Sequence, residues 1–531
     1  MMRAASGWST VIRAVAIVGA AACAAPKAGD VVVYASGADL ESADPLVTIH
    51  PLATQVQRYA LFVTACRYNR HFDVEPYFAR AWRWSADWRV LSLRLTPGLL
   101  WQDGAPTTAR DLLFTLDAAR DPATGYPRAS ELASLKSARA LDDTTVELSF
   151  TEAQRYIPHV ICELPIVPEH VLRNVPRSSL RGAPFGMAPV TNGPFLFVGH
   201  SPGERWVLAR NPRFPQLLGG PPRISRLVIT VVKEGATKFA GLVSGDLDVA
   251  GISPAMVPLA AKDPTLRVIE YPVLQSTVIA FNVHRSPFDD PRVRRAIGLA
   301  LDRRRIVDAA LLGHAIPASG AIPPDLPFGS DVVPVRDTVN ADSLLDAAGW
   351  PRGADGVRAR GGRPLTFELL TVGGAQSAAE QLVQSDLAGI GVRVEVRQRE
   401  LAAFLAAARA PAKTFDALFT GIPGDLSLAY LSAMFDSHSA GSALDYSGYH
   451  TPRLDSLLAA ARDATDPFER ARWAAVEREL AEEAPVVWIY HARGVQALSR
   501  RLCNVSMDLR GELVSLTDWG TDETSCQVAL R

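Results

Sequence analysis

Catalysis leaves recognisable residue patterns: a nucleophile beside a base, ligands at coordinating spacing, or a glycine loop that cradles phosphate. This chain carries none of the familiar ones. It has no Gly-x-Ser-x-Gly elbow, no His-Glu-x-x-His, no Gly-x-x-x-x-Gly-Lys and no Gly-x-Gly-x-x-Gly. Its ten histidines are scattered, and neither Cys-x-x-Cys nor His-x-x-x-His occurs. No metal ligand set, cofactor or catalytic residue is therefore expected, and hydrolysis is only a remote alternative. The residues left for chemistry are five cysteines and a few placed carboxylates.

The cysteines divide by position. Arg3 and Arg13 precede a short apolar run, Ala14 to Ala22, which ends at Cys23. That run is too short to span a bilayer and has the form of a secretory signal. Ala20-Ala21-Ala22-Cys23 resembles a bacterial lipobox, although Leu usually stands where Ala20 does. The expectation is export, cleavage after residue 22 and lipidation of Cys23, with cleavage nearby and loss of Cys23 as the alternative. No later window offers about 18 consecutive apolar residues. Four cysteines then remain, an even number that permits disulfides in an exported chain. Of the three possible pairings the favoured one is Cys66–Cys162 with Cys503–Cys526, the second closing a short loop. Four buried free thiols are the alternative.

Composition sets the remaining bounds. The chain has 531 residues, 48% hydrophobic and 21% charged, which describes a folded protein of two or three domains. Lys and Arg number 55 against 56 Asp and Glu, a net charge of −1. With no basic block, nucleic acid is not an expected partner.

The elements that must position any site alternate between strand and helix. Val31 to Ala35, Leu91 to Leu95, Thr145 to Phe150, Leu227 to Val232 and Val278 to Asn282 read as strands. Thr108 to Asp111 is a capping-box opening for a helix carrying Leu112, Leu116 and Ala119 on one face. Asp290-Pro291 and Thr451-Pro452 place a side-chain acceptor before a proline at the first helical position. Asp466-Pro467-Phe468-Glu469 opens another helix. Ala379, Val383 and Leu387 form one more apolar stripe. Pro317 to Gly329 and Gly349 to Pro364 read as surface loops. The pattern is α/β, and periodicity alone selects no function.

Several ordered stretches resemble the large extracytoplasmic solute-binding proteins of dipeptide, oligopeptide and nickel importers (family 5). The most diagnostic is Leu95 to Phe114, LTPGLLWQDGAPTTARDLLF. Glu75 to Trp82, Thr191 to Phe197, Ala209 to Phe214, Leu242 to Val249, Pro287 to Ile297 and Ala484 to Trp488 are also similar, in the family's order. The resemblance runs from about Val31 to about Leu502. It implies an α/β fold of two discontinuous lobes joined by a hinge, with an extra subdomain in the first lobe. The implied division is a signal peptide at 1–22, lobe I at 23–75, 190–283 and 489–531, the subdomain at 76–189 and lobe II at 284–488. It further implies a monomer that captures a peptide-like ligand and hands it to permease subunits of an ABC importer. Relatives that bind nickel chelates, haem, oligosaccharides or opines, or that act as sensors, keep the ligand class open.

The implied ligand site centres on Phe415 to Asp425, FDALFTGIPGD. In peptide-binding members the terminal Asp pairs with the ligand's α-ammonium group, and Asp425 holds that position here. A carboxylate in a dry cleft needs a partner, and an ammonium supplies one. The plain alternative is a loop Asp that caps the segment Leu426 to Phe435. Ile422 stands where the family has a cleft Trp, and Gly424 lies between them. Tyr446, in the turn Asp445 to Tyr449, offers a hydroxyl or ring, whereas Tyr449 is expected to pack the turn. Trp101 is expected to pack the subdomain, beside the turn formers Asp103 and Gly104. The loop Val372 to Ser377 has no Arg or Lys for a ligand carboxylate, so strict dipeptide specificity is not expected.

Overall fold

The structure is a computed structural model that describes residues 29–526 except Ile49, Arg155, 374–376 and 463–468. The Cys23 anchor and the Asp466 helix opening lie outside the described residues.

Two long strands organise the chain. Leu266–Phe281 and Val486–Ser499 pair antiparallel from Leu266↔Ser499 to Ala280↔Val486. One end of this ribbon lies in lobe I. There Val486–Ser499 also pairs with Val249–Gly251, which pairs with Val31–Ser36, and the sheet continues through Arg226–Val231, Arg205–Arg210 and Phe195–Ser201. The other end lies in lobe II, where Leu266–Phe281 pairs with Ala417–Pro423, followed by Thr366–Val372 and Arg393–Arg399. The lobes therefore share one sheet, and the chain passes between them on both long strands.

The register slips between Pro272 and Ser276. Proline has no N–H for the ladder and is tolerated in a strand at a bulge. Pro272 thus marks the crossing at the level of sequence. One residue before it, Tyr271 pairs with Gly494, where a Cβ would lie 2.2 Å from the Tyr271 ring.

Separate cores fill the two lobes. Lobe I and the subdomain share one, in which Val32, Phe78, Leu148, Trp206 and Trp519 are all buried. Trp101 is fully buried in it, and the four-stranded subdomain sheet runs Ala79–Trp84, Val90–Leu95, Thr145–Phe150, Leu135–Asp142. Lobe II holds two cores on opposite faces of its sheet. In one, Phe288 packs on Phe281 and Phe367 at centroid distances of 4.7 and 5.0 Å.

Helix openings follow the capping chemistry. Thr108 and Asp111 form a reciprocal capping box, and Asp290 caps Pro291–Ala300 through the Arg292 amide. A second box, Ser377 with Glu380, opens Ala378–Gly389 and escapes the sequence reading. The first of the two expected surface loops is corrected, while the second is exposed over most of its length around a buried arginine. Within 317–329, Ala318, Ala321, Ile322 and Leu326 are buried in lobe II. Within 349–364, Arg358 is buried and bonded to Asp342, Asp346 and the Trp350 and Ile390 carbonyls. A guanidinium with five donors can organise a loop that has few apolar residues.

The crossing carries a buried polar pair. Ser276 Oγ lies 2.7 Å from His491 Nδ1, and His491 is 1% exposed. Burial pushes the imidazole down to about 4. It is neutral in the fold, while the unfolded chain protonates near the ordinary 6.5. Stability is therefore full above that value and falls as pH drops from about 6.5 toward 4. We expect urea unfolding at pH 5 to show a loss of roughly 2 kcal/mol relative to pH 7 from this group. A His491→Gln protein should show a correspondingly shallower pH dependence, and an unchanged slope would overturn the assignment.

Candidate functional site

Asp425 leaves the sheet at the lobe crossing. Pro423 pairs with Gln275, and the Gly424 amide donates to the Leu274 carbonyl at 2.7 Å. The carboxylate then turns onto the start of the helix Ala429–Phe435. Its Oδ1 accepts from Ser427 Oγ (2.5 Å) and the Ala429 amide (3.0 Å), and its Oδ2 accepts from the Tyr430 amide (3.0 Å). The capping reading is thus present in the structure. It does not use up the group, because a carboxylate has about four acceptor positions. Three donors fix its direction.

The structure separates the other sequence candidates from it. Ile422 is 1% exposed and packs in the lobe II core, so it forms no cleft wall. Gly424 is half-buried, and a Cβ there would make only ordinary contacts with Leu274 and Tyr430. Tyr446 is buried in the same core with Arg409 near its hydroxyl. Its turn is held by the Val283 amide donating to the Ser447 carbonyl, at the far end of the long strand. Nine residues separate that anchor from Leu274, roughly 30 Å at about 3.3 Å per residue. Tyr446 is enclosed in the core and presents no exposed ring or hydroxyl beside Asp425. Tyr449 packs its turn, 8% exposed.

Facing Asp425 from lobe I is a charged group that the sequence reading missed. Arg58 Nη1 lies 3.3 Å and Arg128 Nη1 2.6 Å from the Glu163 carboxylate, while Arg128 also holds Glu131. Burial alone would raise Glu163, but the charges of Arg58 and Arg128 hold it at about 2. His159, on the same short helix His159–Glu163, shares a 2.7 Å hydrogen bond with Tyr68. Burial lowers its pKa, opposed by Glu163, Glu131 and, across the lobe boundary, Asp425. Tyr156 closes the boundary by donating to the Arg462 carbonyl at 3.3 Å. The Cys66–Cys162 disulfide ties this helix to the strand Cys66–Tyr68. The only signal in the sequence was His159 and Glu163 four apart beside a cysteine, too little to distinguish a site from an ordinary helix.

The two faces meet at the boundary of the two lobes, with the capping carboxylate of Asp425 on one and a charge-balanced cluster on the other. Among the described residues no cluster of His, Cys, Asp and Glu could hold a metal, and no helix is long and apolar enough to cross a membrane. Comparison with known proteins agrees on the class. The profile of bacterial extracellular solute-binding proteins, family 5 (middle region), matches residues 73–442, and the chain belongs to that family. It is 28% identical over 448 residues to Protein XP55 of Streptomyces lividans, covering 83% of this chain and 80% of the relative. It is 24% identical over 485 residues to the glutathione-binding protein GsiB of Escherichia coli, covering 89% and 91%. The fold matches the Listeria monocytogenes ABC transporter substrate-binding protein CtaP with a TM-score of 0.81 at 20% identity, covering 93% and 99%. It matches the oligopeptide-binding protein AppA of Bacillus subtilis, solved with a nonapeptide, with a TM-score of 0.76 at 22% identity, covering 93% and 99%.

Removing the Glu163 charge should leave two facing arginines without their shared partner. We expect Glu163→Gln to cost on the order of 2 kcal/mol at pH 7 by urea unfolding, since both guanidinia retain some solvent. The wild-type contribution should persist at pH 5 and fade only as pH falls below about 4.5 toward 2. A Gln protein as stable as wild type at pH 7 would exclude this role.

Proposed function

We propose that the protein captures a peptide-like ligand at the lobe boundary, with Asp425 receiving the ligand's ammonium group, and delivers it chemically unchanged to the permease of an importer. The observation that carries the reading is the Asp425 carboxylate itself. It stands at the strand crossing, aimed by three donors, with acceptor capacity left and a wall of opposite-lobe groups before it. Relatives solved with a nonapeptide, or named for binding glutathione, support a ligand of this chemistry. Arg58 and Arg128 are already engaged by Glu163 and Glu131, so no spare cation there favours a strict dipeptide. Lobe closure over the ligand supplies the exclusion of water that strengthens the ammonium–carboxylate pair. The signal run and Cys23 support an exported, lipid-anchored monomer.

The test separates anchoring from capping. Asn caps a helix about as well as Asp but has no charge. Pooled peptides of two to eight residues should raise the thermal midpoint of the wild-type protein by mass action. Asp425→Asn should keep the unliganded midpoint and lose that rise. Asp425→Ala should lose the rise and about 1 kcal/mol of stability as well. A rise that survives in the Asn protein removes Asp425 as the anchor, and no rise in wild type removes the peptide reading. Separately, Cys23→Ser should shift the protein from the membrane fraction to the soluble fraction on cell fractionation; retention would argue against the lipid anchor.

A further inference from the structure

At the end of lobe II remote from the crossing, the long strand terminates beside a cavity of about 480 Å³. Asn282, His284, Arg285, Lys413, Asp445 and His450 line it. Asn282 positions the cavity by donating from Nδ2 to the Lys413 and Phe415 carbonyls, both at 3.0 Å. Nothing in the ligand capture proposed above uses these residues.

The carboxylates near this cavity are committed. Asp445 accepts from the Gly441 amide at 2.8 Å and the Gly448 amide at 3.0 Å, and His450 Nε2 lies 3.3 Å from its Oδ2. Asp416, just behind, pairs with Arg285 Nε at 2.8 Å and accepts from the Glu368 amide at 2.9 Å. The donors are not committed to the same degree. Lys413 has a side chain only 10% exposed, and among the described residues its ionic partner is Asp445 at 3.8 Å. That separation is too long for a hydrogen bond, so the three ammonium protons are available toward the cavity. His450 is engaged at both ring nitrogens, Nδ1 with the Phe435 carbonyl at 3.2 Å and Nε2 with Asp445 at 3.3 Å. Arg285 bonds through Nε and Nη1, to Asp416 and the Thr414 carbonyl, which leaves Nη2 at the rim. An ammonium and a guanidinium N–H beside one cavity are suited to an oxyanion, which accepts several charge-assisted hydrogen bonds at once.

We propose that this cavity is a second ligand site, for a small oxyanion such as phosphate or a carboxylate, independent of the lobe boundary. Titration calorimetry of the purified chain would use sodium phosphate and sodium acetate in separate arms, with sodium chloride holding ionic strength constant. Saturable heat is expected from at least one anion, and the arm that responds identifies its source. Arg285 is half-exposed at the rim, so Arg285→Gln should preserve the fold and weaken binding about tenfold, the effect of one charge-assisted hydrogen bond. Lys413→Met should abolish it. Asp425→Asn should leave it unchanged, which separates this site from the proposed peptide site. No saturable heat in wild type, or binding that both cavity variants leave intact, overturns the proposal.

Discussion

Everything in this molecule depends on the backbone ladder between Leu266–Phe281 and Val486–Ser499. It is the one element common to both lobes, and each lobe builds its sheet outward from it. A ladder carried through a bulge is stiff in its hydrogen bonds and compliant at the irregular residues. Placing a proline at that irregularity makes the compliance local. The irregular residues join the two cores, with Val273 packed against that of lobe I and Leu274 against that of lobe II. Asp425 follows directly on Gly424, which is tied to the same point through its hydrogen bond to Leu274.

The opposite wall is built on another principle. Arg58, Arg128, Glu131 and Glu163 form a charge-balanced group whose members satisfy one another at short range. Such a group costs desolvation and is held together by its mutual hydrogen bonds. Its value at a binding surface is rigidity: His159 and Tyr68 rest on it in a defined geometry. One lobe therefore presents a directed negative charge and the other a neutralised polar surface. That asymmetry favours a cationic group entering between them.

Much of the architecture was legible from local chemistry. Thr145–Phe150 matched its alternation residue for residue, and Thr108 and Asp290 capped the helices their side chains announced. The Leu95 to Phe114 stretch pointed to the family from side chains that turn out to be structural, such as buried Trp101. What escaped was set by distant partners. Arg358 reads as a loop residue until Asp342 and Asp346 surround it, and the burial of 317–329 depends on the core of lobe II. Asp425 was legible as a helix cap, the alternative its sequence position offered, and its role toward a ligand is the reading proposed above. Ile422 and Tyr446 were drawn to the site by the family resemblance, whereas a strand and a turn carry their side chains into a core. The Arg58–Glu163 wall joins residues 105 apart and had no local pattern to betray it.

The distribution of the cysteines has a consequence for how the chain comes to be folded. Cys66–Cys162 and Cys503–Cys526 both lie in lobe I, and lobe II contains no cysteine. Lobe I also borrows its last strand and Trp519 from the end of the chain. It is therefore the first lobe to be synthesised and the last to be completed, while lobe II can collapse in the interval under any redox condition. A chain so ordered stays open until its final segment arrives, which suits passage through a membrane as an unfolded thread. Oxidation then locks the lobe that holds the first and last described strands.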